Sequence, residues 1–311
     1  MRQADIAIII GGRELPAGAG SLCLEVCLCA DGAGGLRLAA SGDRPWGDGA
    51  RPGAEVVLRL NGAERFRGPI ARTTSALDQR ERPWSGLVAE PEWRRRARVL
   101  GPLDACHEMS DADAAARIAD ALGLEARIES TAEVHPVLEP GADPIAFLRA
   151  RARAAGVVVA VAGGRLHFAR TLPAGTPLVE IGPASEVLAL RTSQWDLGRS
   201  GAVILEGNAG ICPLDRIRLT GWEGAPAGIL RVVRVRIAAD PRGLRMGIFW
   251  VDEGVDLSRA ALEEGEARAL LAPGPGPVPG LDADPWTGAA QGVPDPSGPW
   301  SLPSPCEEVL P

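Results

Sequence analysis

Ser110 to Arg170 reads SDADAAARIADALGLEARIESTAEVHPVLEPGADPIAFLRARARAAGVVVAVAGGRLHFAR, and its punctuation decides how the chain folds. Ser110 is a good helix N-cap, with Asp113 three residues on as a variant capping box. Ala115, Ile118, Ala119 and Leu122 recur at helical spacing, and Gly123 supplies a stop. A second helix starts at Asp143, a capping residue, with Pro144 in the first helical position, where a missing N–H costs nothing. Ile145, Leu148 and Ala152 line one face, Phe147 flanks them, and Gly156 ends the helix. Val157 to Val161, the turn Gly163-Gly164 and Arg165 to Arg170 then read as a hairpin. Helix, strand, helix, hairpin: the stretch is a compact α/β module.

Both flanks read as β structure. Upstream, Ile6, Ile8 and Ile10 alternate into Gly11-Gly12, and Leu22, Leu24, Val26 and Leu28 form the next apolar face. Val56, Leu58 and Leu60 alternate directly into Asn61-Gly62, the strongest short hairpin signal a sequence offers, with Glu64 to Ile70 as the partner strand. Ser85 to Ala89 is a further strand. Downstream, strands are expected at Glu186–Thr192, Ala202–Glu206, Arg216–Thr220, Ile229–Ile237 and Leu244–Val251. Arg259 to Leu271 predicts one short helix, and after Ala272 the composition turns to Pro, Gly and Ser, too poor in apolar surface to fold alone. That last stretch is expected to be an extended tail that orders only on a partner.

The expected class is therefore mainly β with an α+β insertion. Two β-barrel regions, at 1–100 and 178–256, flank the α/β module at 101–177, and a short helix and Pro/Gly-rich tail fill 257–311.

Composition narrows the function. With 46% hydrophobic and 23% charged residues, the 311-residue chain can build real cores. Its net charge of −7 argues against general affinity for nucleic acid or anionic membranes. No apolar run suits a signal peptide or a membrane span, so synthesis in the bacterial cytoplasm, and later residence in an assembled particle, is expected. The six cysteines are expected to be reduced thiols rather than a disulfide framework.

Motifs for chemistry are missing where they would be needed. Cys23, Cys27 and Cys29 share one face of a predicted strand, but a straight strand spreads the outer two by about 20 Å, too far for one metal ion. His107, His135 and His167 lack companions at ligand spacing, and there is no G-x-S-x-G elbow. The glycine pairs belong to hairpin turns, since neither a dinucleotide fingerprint nor a P-loop occurs. Glu263 and Glu264 fall on an exposed helix. The Arg94–Arg96 and Arg98 cluster beside Trp93 suits phosphate but is more often a solvated face or a pairing surface for a neighbouring subunit. Trp286 and Trp300, in the Pro-rich tail, are candidate anchors for a partner surface. No catalytic, cofactor or metal residue is expected.

The Ser110–Arg170 stretch resembles the phage late control D protein family, the baseplate hubs of contractile tails, and is similar to the hub region of type VI secretion spikes. The resemblance is carried by Ser110, Asp111, Ile118, Ala119, Leu122, Gly123 and Leu124, then by Asp143, Phe147, Leu148, Ala152, Gly156, Gly164, Leu166 and Phe168. Pro52–Ile70, Cys212–Gly221 and Ile229–Arg236 look like the family's flanking strands. Pro140-Gly141 and Val157 depart from it, where the family often carries Gln or Asn and an aromatic.

The resemblance implies a structural baseplate hub: a homotrimer of two tube-like barrels per chain, presenting six similar units to a hexameric tail tube and three to a spike. Its implied partners are itself, a tail tube or tube-initiator protein, a separate spike protein and baseplate wedge proteins. A tail-borne cell-wall hydrolase, or another tube-like component such as a distal tail protein, is the competing reading. The second face of the Leu22–Cys29 strand is a candidate lateral interface.

Overall fold

The structure, a computed structural model, describes residues 5–15, 22–30, 34–41, 46, 49–77, 83–171, 178–195, 198–207, 210–240 and 243–255. The short helix expected at 259–271 and the Trp286 and Trp300 anchors lie outside them.

Among the described residues, the N-terminal region holds seven strands: β1 (Ile6–Ile10), β2 (Arg13–Glu14), β3 (Leu22–Cys29), β4 (Gly35–Ser41), β5 (Glu55–Leu60), β6 (Ala63–Leu77) and β7 (Pro83–Ala89). A helix, α1 (Glu92–Leu100), follows. The module comprises β8 (Cys106–Ser110), α2 (Asp111–Leu122), β9 (Glu125–Ile128), β10 (Val134–Leu138), α3 (Pro144–Ala155), β11 (Val158–Ala162) and β12 (Arg165–Ala169). The C-terminal region adds β13 (Leu178–Ile181), β14 (Val187–Trp195), β15 (Gly198–Glu206), β16 (Arg216–Leu219), β17 (Leu230–Asp240) and β18 (Gly243–Asp252).

All three expected hairpin turns form. At Asn61-Gly62 the backbone takes φ of 50° and 77°, the left-handed pair that matches strand twist and that Asn and Gly tolerate best. Strand alternation then sorts the side chains. In β5, Val56, Leu58 and Leu60 point inward while Glu55 and Arg59 are exposed.

The two β regions are not separate sheets. β3 pairs antiparallel with β17, Leu24 opposite Ala239 through Cys29 opposite Arg234. This joint makes one 13-stranded sheet, ordered β14-β15-β18-β17-β3-β4-β7-β6-β5-β1-β2, with β13 and β16 attached through β17. The sheet curls into a half-barrel, and one apolar core runs through both regions, from Ile8 and Leu58 to Ile248 and Trp250. No helix among the described residues is long and apolar enough to cross a membrane.

Candidate assembly surfaces

Within the module, local signals set the geometry. Ser110 caps α2: its Oγ accepts from Asp113 N at 3.1 Å and donates to Asp113 Oδ2 at 2.7 Å, completing the expected capping box. Asp143 Oδ1 caps α3 through Ile145 N and Ala146 N at 3.0 and 2.9 Å. Gly123 and Gly156 close the two helices at φ of 69° and 66°, where a side chain would be strained.

The apolar face that this creates is one cluster. Ile118 and Leu122 of α2, Leu148 of α3, and Leu166 and Phe168 of β12 are fully buried together, with Phe147 packed at the margin. The sheet beneath them is β11-β12-β9, in which β9 runs parallel to β12. The Gly163-Gly164 turn joins β11 to β12.

Sequence reasoning missed a polar knot here. Asp111, only 2% exposed, accepts from Arg151 Nε at 2.6 Å and Arg151 Nη2 at 3.1 Å. Arg151 Nη2 also lies 2.6 Å from His135 Nε2, which is itself 3.4 Å from Asp111 Oδ2. The bonds to Asp111 hold the Arg151 guanidinium still more firmly in its charged form. The knot ties α2, β10 and α3 together.

Two joints fasten the module to the sheet. At the first, Val161 N donates to Ala30 O at 2.7 Å, and Ala160 packs with Ala30, Leu214 and Val251. The second is α1, which the sequence reading treated only as an arginine cluster. Trp93 and Ala97 lean on the module core. The Arg96 guanidinium sits against Gly123 at the C-terminus of α2, where a cation is favoured. Arg98 Nη1 donates to Glu90 Oε2 at 2.8 Å, at the end of β7, and Arg95 and Arg96 both bond Glu92. Most of this cluster is thus satisfied by carboxylates of the same chain.

Among the described residues, no group of three or more metal-capable side chains forms. His107 is exposed, and His167 is buried in β12, where burial pushes its pKa below the usual value. Cys29, Cys106 and Cys212 are free, whereas Cys27 is disulfide-bonded, which corrects the expectation of reduced thiols for that residue. Cys27 and Cys29 are both buried within the chain, so this part of the second face of β3 is covered rather than open to a neighbour.

Comparison with solved structures places the fold. The 43 kDa tail protein of prophage MuSo2 from Shewanella oneidensis superposes with a TM-score of 0.63 at 11% identity, covering 81% of this chain and 98% of that one. The chain has a phage tail protein fold. A tail protein from Neisseria meningitidis MC58 gives a TM-score of 0.62 at 11% identity, covering 82% and 98%. The E. coli c3393 protein, a type VI secretion component described as similar to the T4 tail proteins gp27 and gp5, gives 0.59 at 12% identity, covering 79% and 76%. No family model matches the chain, and no curated protein matches it in sequence. Near-complete coverage of both tail proteins means that the half-barrel and the inserted module belong to one shared architecture, not to a fusion peculiar to this chain.

Proposed function

We propose that this protein is a structural baseplate hub of a contractile phage tail or a related injection system, without catalytic activity. One observation carries the reading: a capped α/β module sits between two β regions that merge into one curled sheet, in a fold shared with phage tail proteins and a type VI secretion component. Tube-like β units at 1–100 and 178–256 give each chain two similar contact elements. Three chains then present six units to a hexameric tube and threefold symmetry to a spike, so a homotrimer adapts one symmetry to the other.

The long edge strand β14 at one end of the sheet, and β1 and β2 at the other, are suited to lateral pairing between copies, because exposed strand edges carry unpaired backbone groups. The proposed partners are a tail tube or tube-initiator protein above, a spike protein below, and wedge proteins at the rim. The residence is the assembled particle.

Negative-stain class averages of the purified chain test the reading. Rings with threefold symmetry support it. Particles of single-chain size with no ring contradict it.

A further inference from the structure

The charge of this chain is segregated. Nine of its 40 carboxylates and two of its 33 arginines lie after Val255, leaving 31 of each before it, so the net −7 belongs entirely to residues 256–311. Residues 1–255 are neutral as a whole, yet α1 is not. It carries Arg94, Arg95, Arg96 and Arg98 against Glu92, which takes Arg95 and Arg96, and the adjoining Glu90, which takes Arg98.

None of the residues of α1 is fully buried. Its C-terminal tip exposes Val99 and Leu100, at 73% and 50%, the former one turn after Arg95. Arg94 lies over the Trp93 ring, 6.0 Å from its centroid. The surface therefore combines an apolar tip with guanidinium groups and an aromatic base. It fits a short acidic peptide that carries a large apolar side chain.

The chain itself contains such a peptide. Asp282-Ala-Asp284-Pro-Trp286 places two carboxylates just ahead of an indole. Val255, the last described residue, packs with Ala160 of β11 in the module that α1 also leans on. The residues between Val255 and Asp282 can bridge up to about 90 Å when extended, against a radius of gyration of about 18 Å for a compact body of this size. Reach is no obstacle.

We infer that α1 is the docking site for the chain's own acidic segment Asp282–Trp286, with Asp282 and Asp284 on Arg94 and Arg95 and Trp286 on the Val99–Leu100 tip. The ion pair between Arg95 and Glu92 is surface-exposed and weakly held, so exchanging it for a tail carboxylate costs little. The inference is independent of how many copies assemble.

Hydrogen exchange of the full chain tests it, because a nine-residue helix with no buried residue exchanges fast unless covered. In 50 mM salt the α1 amides of D282R/D284R should exchange at least about threefold faster than wild type, and raising salt to 500 mM should do the same to wild type. R94E/R95E should also expose α1, and combining it with D282R/D284R should restore slow exchange. W286A should resemble D282R/D284R. Identical α1 exchange in wild type and D282R/D284R overturns the inference, and so does failure of the charge swap to restore protection. Protection that rises with protein concentration would assign the contact to a neighbouring copy and overturn docking within one chain.

Discussion

Asp111 and Arg151, forty residues apart, form a two-bond ion pair that locks the start of α2 to the middle of α3, with the carboxylate almost fully withdrawn from solvent. The pair joins two helices whose apolar faces already meet at Ile118, Leu122 and Leu148. It therefore fixes their relative register rather than driving them together.

Removing one partner should be severe. Arg151→Ala leaves Asp111 buried without its countercharge, which costs roughly 3 kcal/mol, the lower end for a broken buried pair because Arg151 is itself partly exposed. Urea unfolding should show the drop in midpoint. A loss below about 1 kcal/mol would mean that water reaches Asp111 and the knot is unimportant.

The Ser110 cap gives a smaller and cleaner number. Ser110→Ala deletes the acceptor for Asp113 N and the donor to Asp113 Oδ2, and should cost about 1 kcal/mol. Ser110→Thr, which keeps a hydroxyl that can both accept and donate, should recover most of it in the same assay.

The joint between sheet and module predicts a packing failure. A Cβ placed on Gly68 would overlap the backbone carbonyl of Glu90, the residue whose carboxylate receives Arg98. Gly68→Ala should cost about 1–3 kcal/mol and shift the end of β7 away from α1. Faster hydrogen exchange across 90–100 would report it, and an unchanged rate would show that β6 yields instead.

His167 predicts a pH dependence with a definite sign. Burial and the nearby Arg165 and Arg127 depress its pKa in the folded chain, so the unfolded chain takes up the proton first as pH falls through the ordinary value of about 6.5. Stability is full above that pH and declines below it, by at most about 1.4 kcal/mol per pH unit from this residue. His167→Gln should flatten the stability profile between pH 7.5 and 5.5. An unchanged slope would place the pH response elsewhere.

Much of this architecture was legible in the sequence because it rests on local chemistry. Caps at Ser110 and Asp143, stops at Gly123 and Gly156, and the Asn61-Gly62 turn each act within a few residues, and each forms as expected. The alternation of Leu36, Leu38 and Ala40 in β4 was readable too, but went unread between two glycine-rich stretches. Helix α1 was obscured by its composition. Its apolar contacts with the module come down to Trp93 and Ala97, so its periodicity is too thin to stand out from a charge run.

The β8–β10 ribbon was missed for a different reason. Val134, Pro136 and Val137 are exposed, and the strand's inward contacts come down to Leu138 and Cys106. The pairing of β3 with β17 joins residues about 210 apart and leaves no local trace. The Asp111–Arg151 bond is likewise long-range. Asp111 was singled out by resemblance, and its partner had no signal.

The proposed hub requires three copies of this chain to close around one axis. Light scattering coupled to size-exclusion chromatography, on the full chain at micromolar concentration, measures it directly. A single species at three times the 32.4 kDa chain mass is the expected result. A stable species at 32.4 kDa that persists as concentration is raised would contradict it.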